Sequence, residues 1–187
     1  MKKIAIFASG SGSNAENIAR YFNNNENLNI KCIYSNKVDA FVLERAKKFN
    51  IPTFVFSKHD FYETDIVFNH LKSEKVDLIV LAGFLWLIPE NLTQNFIIIN
   101  IHPALLPKYG GKGMYGDKVH KAVVENGEKE SGITIHYVNE IYDEGKIIFQ
   151  AKCNVLPDDT PDDVASKVHA LEYEYFPKVI EKLLFGS

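Results

Sequence analysis

Five short apolar runs, separated by helix-like stretches, constrain this chain more than any other feature. Lys2–Ala8, Asn29–Ser35, Pro52–Phe56, Val76–Ala82 and Ile97–Ile101 are each too short for a core helix and rich in β-branched or aromatic residues. Such runs read as strands buried on both faces. Between them lie helical patterns at about Asn14–Asn23, Ala40–Phe49 and Asp60–Lys75, and a shorter one starting at Pro89. The alternation predicts an α/β fold: a doubly wound, mostly parallel twisted sheet of Rossmann-like type with right-handed crossovers.

The rhythm breaks after Ile101. Lys108–Gly116 carries four glycines and reads as a loop, followed by a helix over about Asp117–Asn126. Ile133–Val138 and Lys146–Val155 predict a β-hairpin closed by the turn Asn139–Gly145. Thr160 is the expected N-cap of a long final helix, with Pro161 at its first position and Asp163 at capping-box spacing. Val164, Val168, Leu171, Tyr175, Val179 and Leu183 should form its apolar stripe, with a kink at Pro177. The expectation is one domain over 1–187, with a C-terminal hairpin extension and a long last helix.

Composition narrows the function. The 46% hydrophobic and 12% aromatic content can fill one substantial core. With 21 basic and 24 acidic residues, a net charge of -3 supplies no positive field for nucleic acid. Cys32 and Cys153 lack metal-ligand spacing and read as buried free thiols. The five-residue apolar stretch near the N-terminus is too short for a signal-peptide core. No apolar run approaches the roughly 18 residues of a membrane span. These features predict a cytoplasmic protein, monomer or homodimer, that acts on small molecules without nucleic acid, membrane or metal.

Several stretches carry chemistry. Ser9–Asn14, SGSGSN, joins the first strand to the first helix, and Ser13 with Glu16 has capping-box spacing. Strand, glycine turn and helix start together make a phosphate cradle, although such turns also occur without ligands. Ala15 replaces the third glycine of a dinucleotide fingerprint, and Ser35–Asn36–Lys37 lacks the ribose-binding acid, so a monophosphate fits better. Asp39 is the expected cap of the second helix, whose Phe41, Ala46 and Phe49 point inward; Phe61, Ile66, Phe68 and Leu71 do so in the third. Gly83–Ile88, with the only tryptophan, either paves a pocket for a flat aromatic ligand or folds into the core.

Asn100 and His102 lie two apart, so a continued strand projects both from one face at its carboxyl end. Pro103 and Pro107 stiffen the segment beyond the strand. Ligands of open α/β sheets bind at such strand ends. Asp143 in the hairpin turn is either a turn former or the carboxylate that raises the pKa of a histidine. His136 can reach the same region or face solvent, while His59, His70, His120 and His169 read as surface residues.

SGSGSN, LAGF at 81–84, NIHPALLPKY at 100–109, SGITIHYV at 131–138 and YDEG at 142–145 resemble the phosphoribosylglycinamide formyltransferases, folate-dependent enzymes of the purine pathway. The likeness spans essentially the whole chain, with the motifs in family order. It implies transfer of a formyl group from 10-formyltetrahydrofolate to the glycinamide amine, with no metal. It also implies that Asn100, His102 and Asp143 are catalytic, that Gly12, Ser13 and Asn14 hold the substrate phosphate, and that Glu172 contacts the nucleotide substrate. The folate would meet Leu85, Trp86, Leu87, Ile88 and Asn100, with 1–100 the phosphate-binding half and 101–187 the catalytic and folate-binding half.

In this reading Asn100 and a His102 cation held by Asp143 stabilise the oxyanion, and His102 gives a proton to the leaving nitrogen. Family members often carry Met-Arg where this chain has Leu85–Trp86, and only Lys58 stands near 58–64 to meet a folate tail. Three alternatives remain open: a 10-formyltetrahydrofolate hydrolase, a formyltransferase for another amine, and a non-catalytic phosphate-binding module.

Overall fold

In the computed structural model, which describes residues 1–186, the five apolar runs become β1 (Lys2–Phe7), β2 (Leu28–Ser35), β3 (Thr53–Val55), β4 (Leu78–Leu81) and β5 (Ile98–His102). The hairpin forms β6 (Glu130–Tyr137) and β7 (Ile147–Asn154). Among the described residues these make a seven-stranded sheet in the order β3-β2-β1-β4-β5-β6-β7. β1 pairs in parallel with β2 and β4, β2 pairs in parallel with β3, and β6 with β7 antiparallel. The doubly wound, mostly parallel sheet with its terminal hairpin is therefore present. The chain steps outward from β1 to β3 and then returns to place β4 on the other side of β1. That reversal is a topological switch point, where ligands bind at strand carboxyl ends.

The chain divides into two compact units, Met1–Ile99 and Asn100–Ser187, and β5 contributes residues to both. The first unit holds α1 (Ser13–Phe22), α2 (Phe41–Lys47), α3 (Lys58–Tyr62), α4 (Ile66–Glu74) and α5 (Glu90–Thr93). Its core centres on Phe7, which stacks on Tyr34 at 4.6 Å and meets Phe84 edge-on at 5.4 Å. Tyr34 is fully buried, and its hydroxyl is satisfied by His70 Nδ1 at 2.6 Å. His70 is thus half-buried and partnered rather than a plain surface residue.

Three local expectations are corrected here. Gly12, not Ser13, is the N-cap of α1; Glu16 makes no capping box because its carboxylate is taken by Arg20, Arg45 and Lys48. Ala40 rather than Asp39 caps α2, which buries Val42 and Ala46 and exposes Phe41. The single helix over 60–75 is two. A Ser57–Asp60 capping box starts α3, and the Thr64 hydroxyl donates to the Asp60 carbonyl and accepts from Ile66 N–H where the helices part. The break resets the phase, so Val67 and Leu71 are buried and Ile66 is exposed.

The second unit contains α6 (Asp117–Glu125) and α7 (Pro161–Phe185). Thr160 caps α7 through a full capping box with Asp163, and the helix continues through Pro177. Its buried face is Val164, Val168, Glu172, Phe176, Pro177, Val179 and Ile180, so Val164, Val168 and Val179 of the expected stripe are buried while Glu172, Phe176 and Ile180 replace Leu171, Tyr175 and Leu183. His120 on α6 is 1% exposed, not a surface residue, and its Nδ1 is buried without a partner. Burial holds its pKa below the ordinary value, helped by nearby His169. Among the described residues no helix is long and apolar enough to cross a membrane.

The caps give a direct contrast. Thr160→Ala should cost about 1 kcal/mol, whereas Ser13→Ala should stay within about 0.5 kcal/mol of wild type. Urea unfolding midpoints of the two variants check this.

Candidate active site

Two loops of the first unit lie at the switch point. In the first, the carbonyls of Gly10, Ser11 and Gly12 accept from Val42 N–H (3.1 Å), Arg45 Nε–H (2.8 Å) and Glu16 N–H (2.9 Å) respectively. In a planar trans peptide each carbonyl points opposite to the N–H that follows it. The N–H groups of Ser11, Gly12 and Ser13 are therefore turned away from those partners, at the N-terminus of α1. Gly12 has φ +74°, and a Cβ there would lie 2.3 Å from Val42 Cγ2. Only glycine fits.

Arg45 is itself held by Glu16, which also meets Arg20 at 3.2 Å and Lys48 at 3.5 Å. Sequence reasoning placed Gly12, Ser13 and Asn14 at this loop but missed Glu16 and Arg45 as its supports.

The second loop, 82–88, follows β4. Ser9 joins the two loops, donating its N–H to the Gly83 carbonyl at 3.0 Å and accepting from Leu85 N–H through its hydroxyl at 3.1 Å. Phe84 and Ile88 are buried, while Leu85, Trp86 and Leu87 are partly or largely exposed. Two side chains of the loop therefore join the core and three stay accessible. Four of the five expected folate residues, 85–88, belong to the first unit, and the fifth, Asn100, belongs to the second.

The second unit gathers the polar cluster. β5 projects Asn100 and His102 to one side, and the hairpin turn delivers Asp143 in a left-handed conformation, φ +57°. His102 Nδ1 lies 3.5 Å from Asp143 Oδ2, and Asn100 Nδ2 lies 3.5 Å from Asp143 Oδ1. His136, which the sequence left open, faces inward, 2% exposed. Its Nε2 is 3.2 Å from Asn100 Nδ2 and 3.5 Å from Asp143 Oδ1, while its Nδ1 contacts the Tyr137 carbonyl at 2.8 Å. The Asn100 amide nitrogen is thus nearer the His136 ring than the Asp143 carboxylate, with which it makes only a long contact.

Burial raises the Asp143 pKa, but the hydrogen bond with His136, the charge of His102 and the Gly111 N–H at 2.9 Å together hold it below the usual carboxylate value. For His102 the balance runs the other way. Burial pushes its pKa below the ordinary value, and Asp143 and the Tyr109 carbonyl restore only part of it. Burial thus works against the expected resting cation. His102 Nε2 lies 2.7 Å from the Tyr109 carbonyl and Nδ1 3.5 Å from Asp143, so both ring nitrogens face oxygen acceptors; a neutral ring, with one N–H, donates to only one of them.

Glu172, on α7, is 5% exposed and pairs with His169 Nδ1 at 2.9 Å, an interaction that raises the His169 pKa. Among the described residues no group of His, Cys, Asp and Glu is arranged to hold a metal.

The family profile described as formyl transferase matches residues 2–180. The chain belongs to the formyl transferase family. It is 42% identical to a chloroplastic phosphoribosylglycinamide formyltransferase of Arabidopsis thaliana over 96% of this chain and 64% of that one. It spans just under two thirds of that relative's length. The phosphoribosylglycinamide formyltransferase of Haemophilus influenzae is 40% identical over 97% of this chain and 86% of that one. The crystal structure of phosphoribosylglycinamide formyltransferase from Anaplasma phagocytophilum superposes with a TM-score of 0.86, at 34% identity, covering 97% of this chain and 86% of the other.

The balance of forces on His102 is open to test by NMR of its ring. The imidazole should titrate below its ordinary value, and Asp143→Asn should lower it further by removing the group that raises it. A His102 pKa above the ordinary value would contradict this.

Proposed function

We propose that the protein transfers the formyl group of 10-formyltetrahydrofolate to the amine of 5-phosphoribosylglycinamide in purine biosynthesis. The observation that carries this is the approach of Asn100 and His102 to one buried carboxylate, Asp143. An α-amine has a pKa near about 8, so a useful fraction is neutral at working pH and needs no strong activating base.

The amine nitrogen attacks the formyl carbon, and the carbonyl oxygen becomes an oxyanion. The Asn100 N–H that is only loosely held by Asp143 donates to it, a contribution on the order of 3 kcal/mol. The amine must lose one proton and the folate nitrogen must gain one as its bond to the formyl carbon breaks. Neutral His102 is suited to that exchange: it takes the proton, Asp143 stabilises the imidazolium, and the proton passes to the leaving nitrogen. Nε2 can take the proton once the Tyr109 carbonyl releases it and the ring's one N–H stands on Nδ1, facing Asp143.

In the same reading Gly12, Ser13 and Asn14 hold the substrate phosphate and Glu172 the nucleotide. Leu85–Ile88 take the pterin ring, and Asn100 also faces the folate. The turned N–H groups of the first loop favour a phosphorylated amine over another acceptor or over water. The cysteines, Cys32 and Cys153, are both free, which fits a reducing cytoplasm.

The decisive assay follows absorbance of a 10-formylfolate analogue with and without phosphoribosylglycinamide. Formyl loss should require the amine; loss without it would assign a hydrolase. His102→Ala and Asp143→Asn should each lower kcat about a hundredfold or more, with substrate affinity nearly kept. Gly12→Val should instead raise KM for the phosphorylated amine. Full turnover by the His102 variant would refute the assignment.

A further inference from the structure

The 82–88 loop is held from a direction that neither the phosphate loop nor the reaction requires. The Tyr62 hydroxyl, at the end of α3, donates to the Leu87 carbonyl at 2.8 Å. Its helix is a fixed base. The Ser57–Asp60 capping box closes the N-terminus of α3, and Phe61, next to Tyr62, is 2% exposed and packs against Phe7, Phe56, Phe84 and Trp86. The Tyr62 and Trp86 rings lie 6.0 Å apart, so loop and helix share one aromatic wall.

We propose that Tyr62 is a positioning residue for the folate: its hydroxyl fixes the Leu87–Ile88 peptide so that the loop presents a set backbone edge to the pterin. Peptide planarity supplies the mechanism. With the Leu87 carbonyl drawn toward Tyr62, the Ile88 N–H points the opposite way. Pro89 comes next and has no N–H of its own, so the Ile88 N–H is the last donor of the loop. At the other end, Leu85 N–H is already committed to Ser9.

The backbone is thus pinned at both ends while Leu85, Trp86 and Leu87 keep exposed surface. A flat heteroaromatic ligand with donor and acceptor atoms along one edge suits such a surface. Pre-setting the peptide removes an ordering cost from binding, so loss of the hydroxyl should appear in affinity and not in chemistry.

This inference rests on the folate reading of residues 85–88, and the test separates the two. Trp86 is the only tryptophan, so its fluorescence reports on the loop alone. Titration of wild type with a non-transferable 10-formylfolate analogue should quench Trp86 saturably. Tyr62→Phe keeps the ring and removes only the donor. It should weaken analogue binding about five- to tenfold and raise KM for the folate by the same factor. The kcat and the KM for the phosphorylated amine should stay as in wild type. Saturable quenching with equal affinity in both proteins would overturn the role of Tyr62 and leave the folate reading standing. Absence of quenching in wild type would overturn both. A Tyr62→Phe loss in kcat at unchanged folate KM would also contradict it.

Discussion

The Asp143 carboxylate is the constraint around which the second unit is arranged. A carboxylate so largely buried is costly unless hydrogen-bonding groups surround it. Here the Gly111 N–H, the two histidine rings and the Asn100 amide all approach it, each from a different segment. The hairpin provides the geometry: an irregularity in β6–β7 pairing falls between Ile135 and His136, and the turn beyond it carries Asp143 at positive φ. Asp143 and His102 both sit below their ordinary pKa values. The unfolded chain therefore binds more protons, and acid weakens the fold. Each group's contribution is full above its unfolded value and disappears as pH falls through the folded one.

The first unit is organised by a different means, the orientation of peptide groups. Carbonyls of residues 10–12 are tied to α1 and α2, and those of Gly83 and Leu87 to Ser9 and Tyr62. In each loop the bonds that stabilise the turn also decide which way the N–H groups that follow are turned. Glu16 shows how far this support extends. It is a nearly buried acid whose three cations hold it in place, and one of them, Arg45, reaches on to the Ser11 carbonyl. Removing a single side chain of that chain of contacts would disturb the 9–14 loop from outside it.

Much of this was readable in the sequence because the signals are local. β-branched runs gave the strands, the glycine-rich turn gave the first loop, and Thr160-Pro161 with Asp163 gave the start of α7. The Asn100–His102 spacing gave a shared face. The features that were not readable depended on partners far along the chain. Ser13 with Glu16 has the right spacing for a capping box, but Arg45 and Lys48 from α2 claim the acid. A helical period continued through 60–75, but Thr64 and the α3 capping box divide it. The carboxylate beside His102 suggested a raised pKa, whereas the net shift is set mainly by burial, which no residue pattern reveals. The burial of His136 likewise reflects cover on both faces of β6, where every residue from Ser131 to His136 is buried, and not its neighbours in sequence.

The central claim is that His102 and Asp143 act as one unit in moving the proton that formyl transfer requires. A double-mutant cycle of His102→Ala and Asp143→Ala, read in single-turnover formylation of phosphoribosylglycinamide, tests it most directly. If the two work together, the double variant should be about as slow as the slower single variant. Losses that multiply, each residue costing the same whether or not the other is present, would contradict the account.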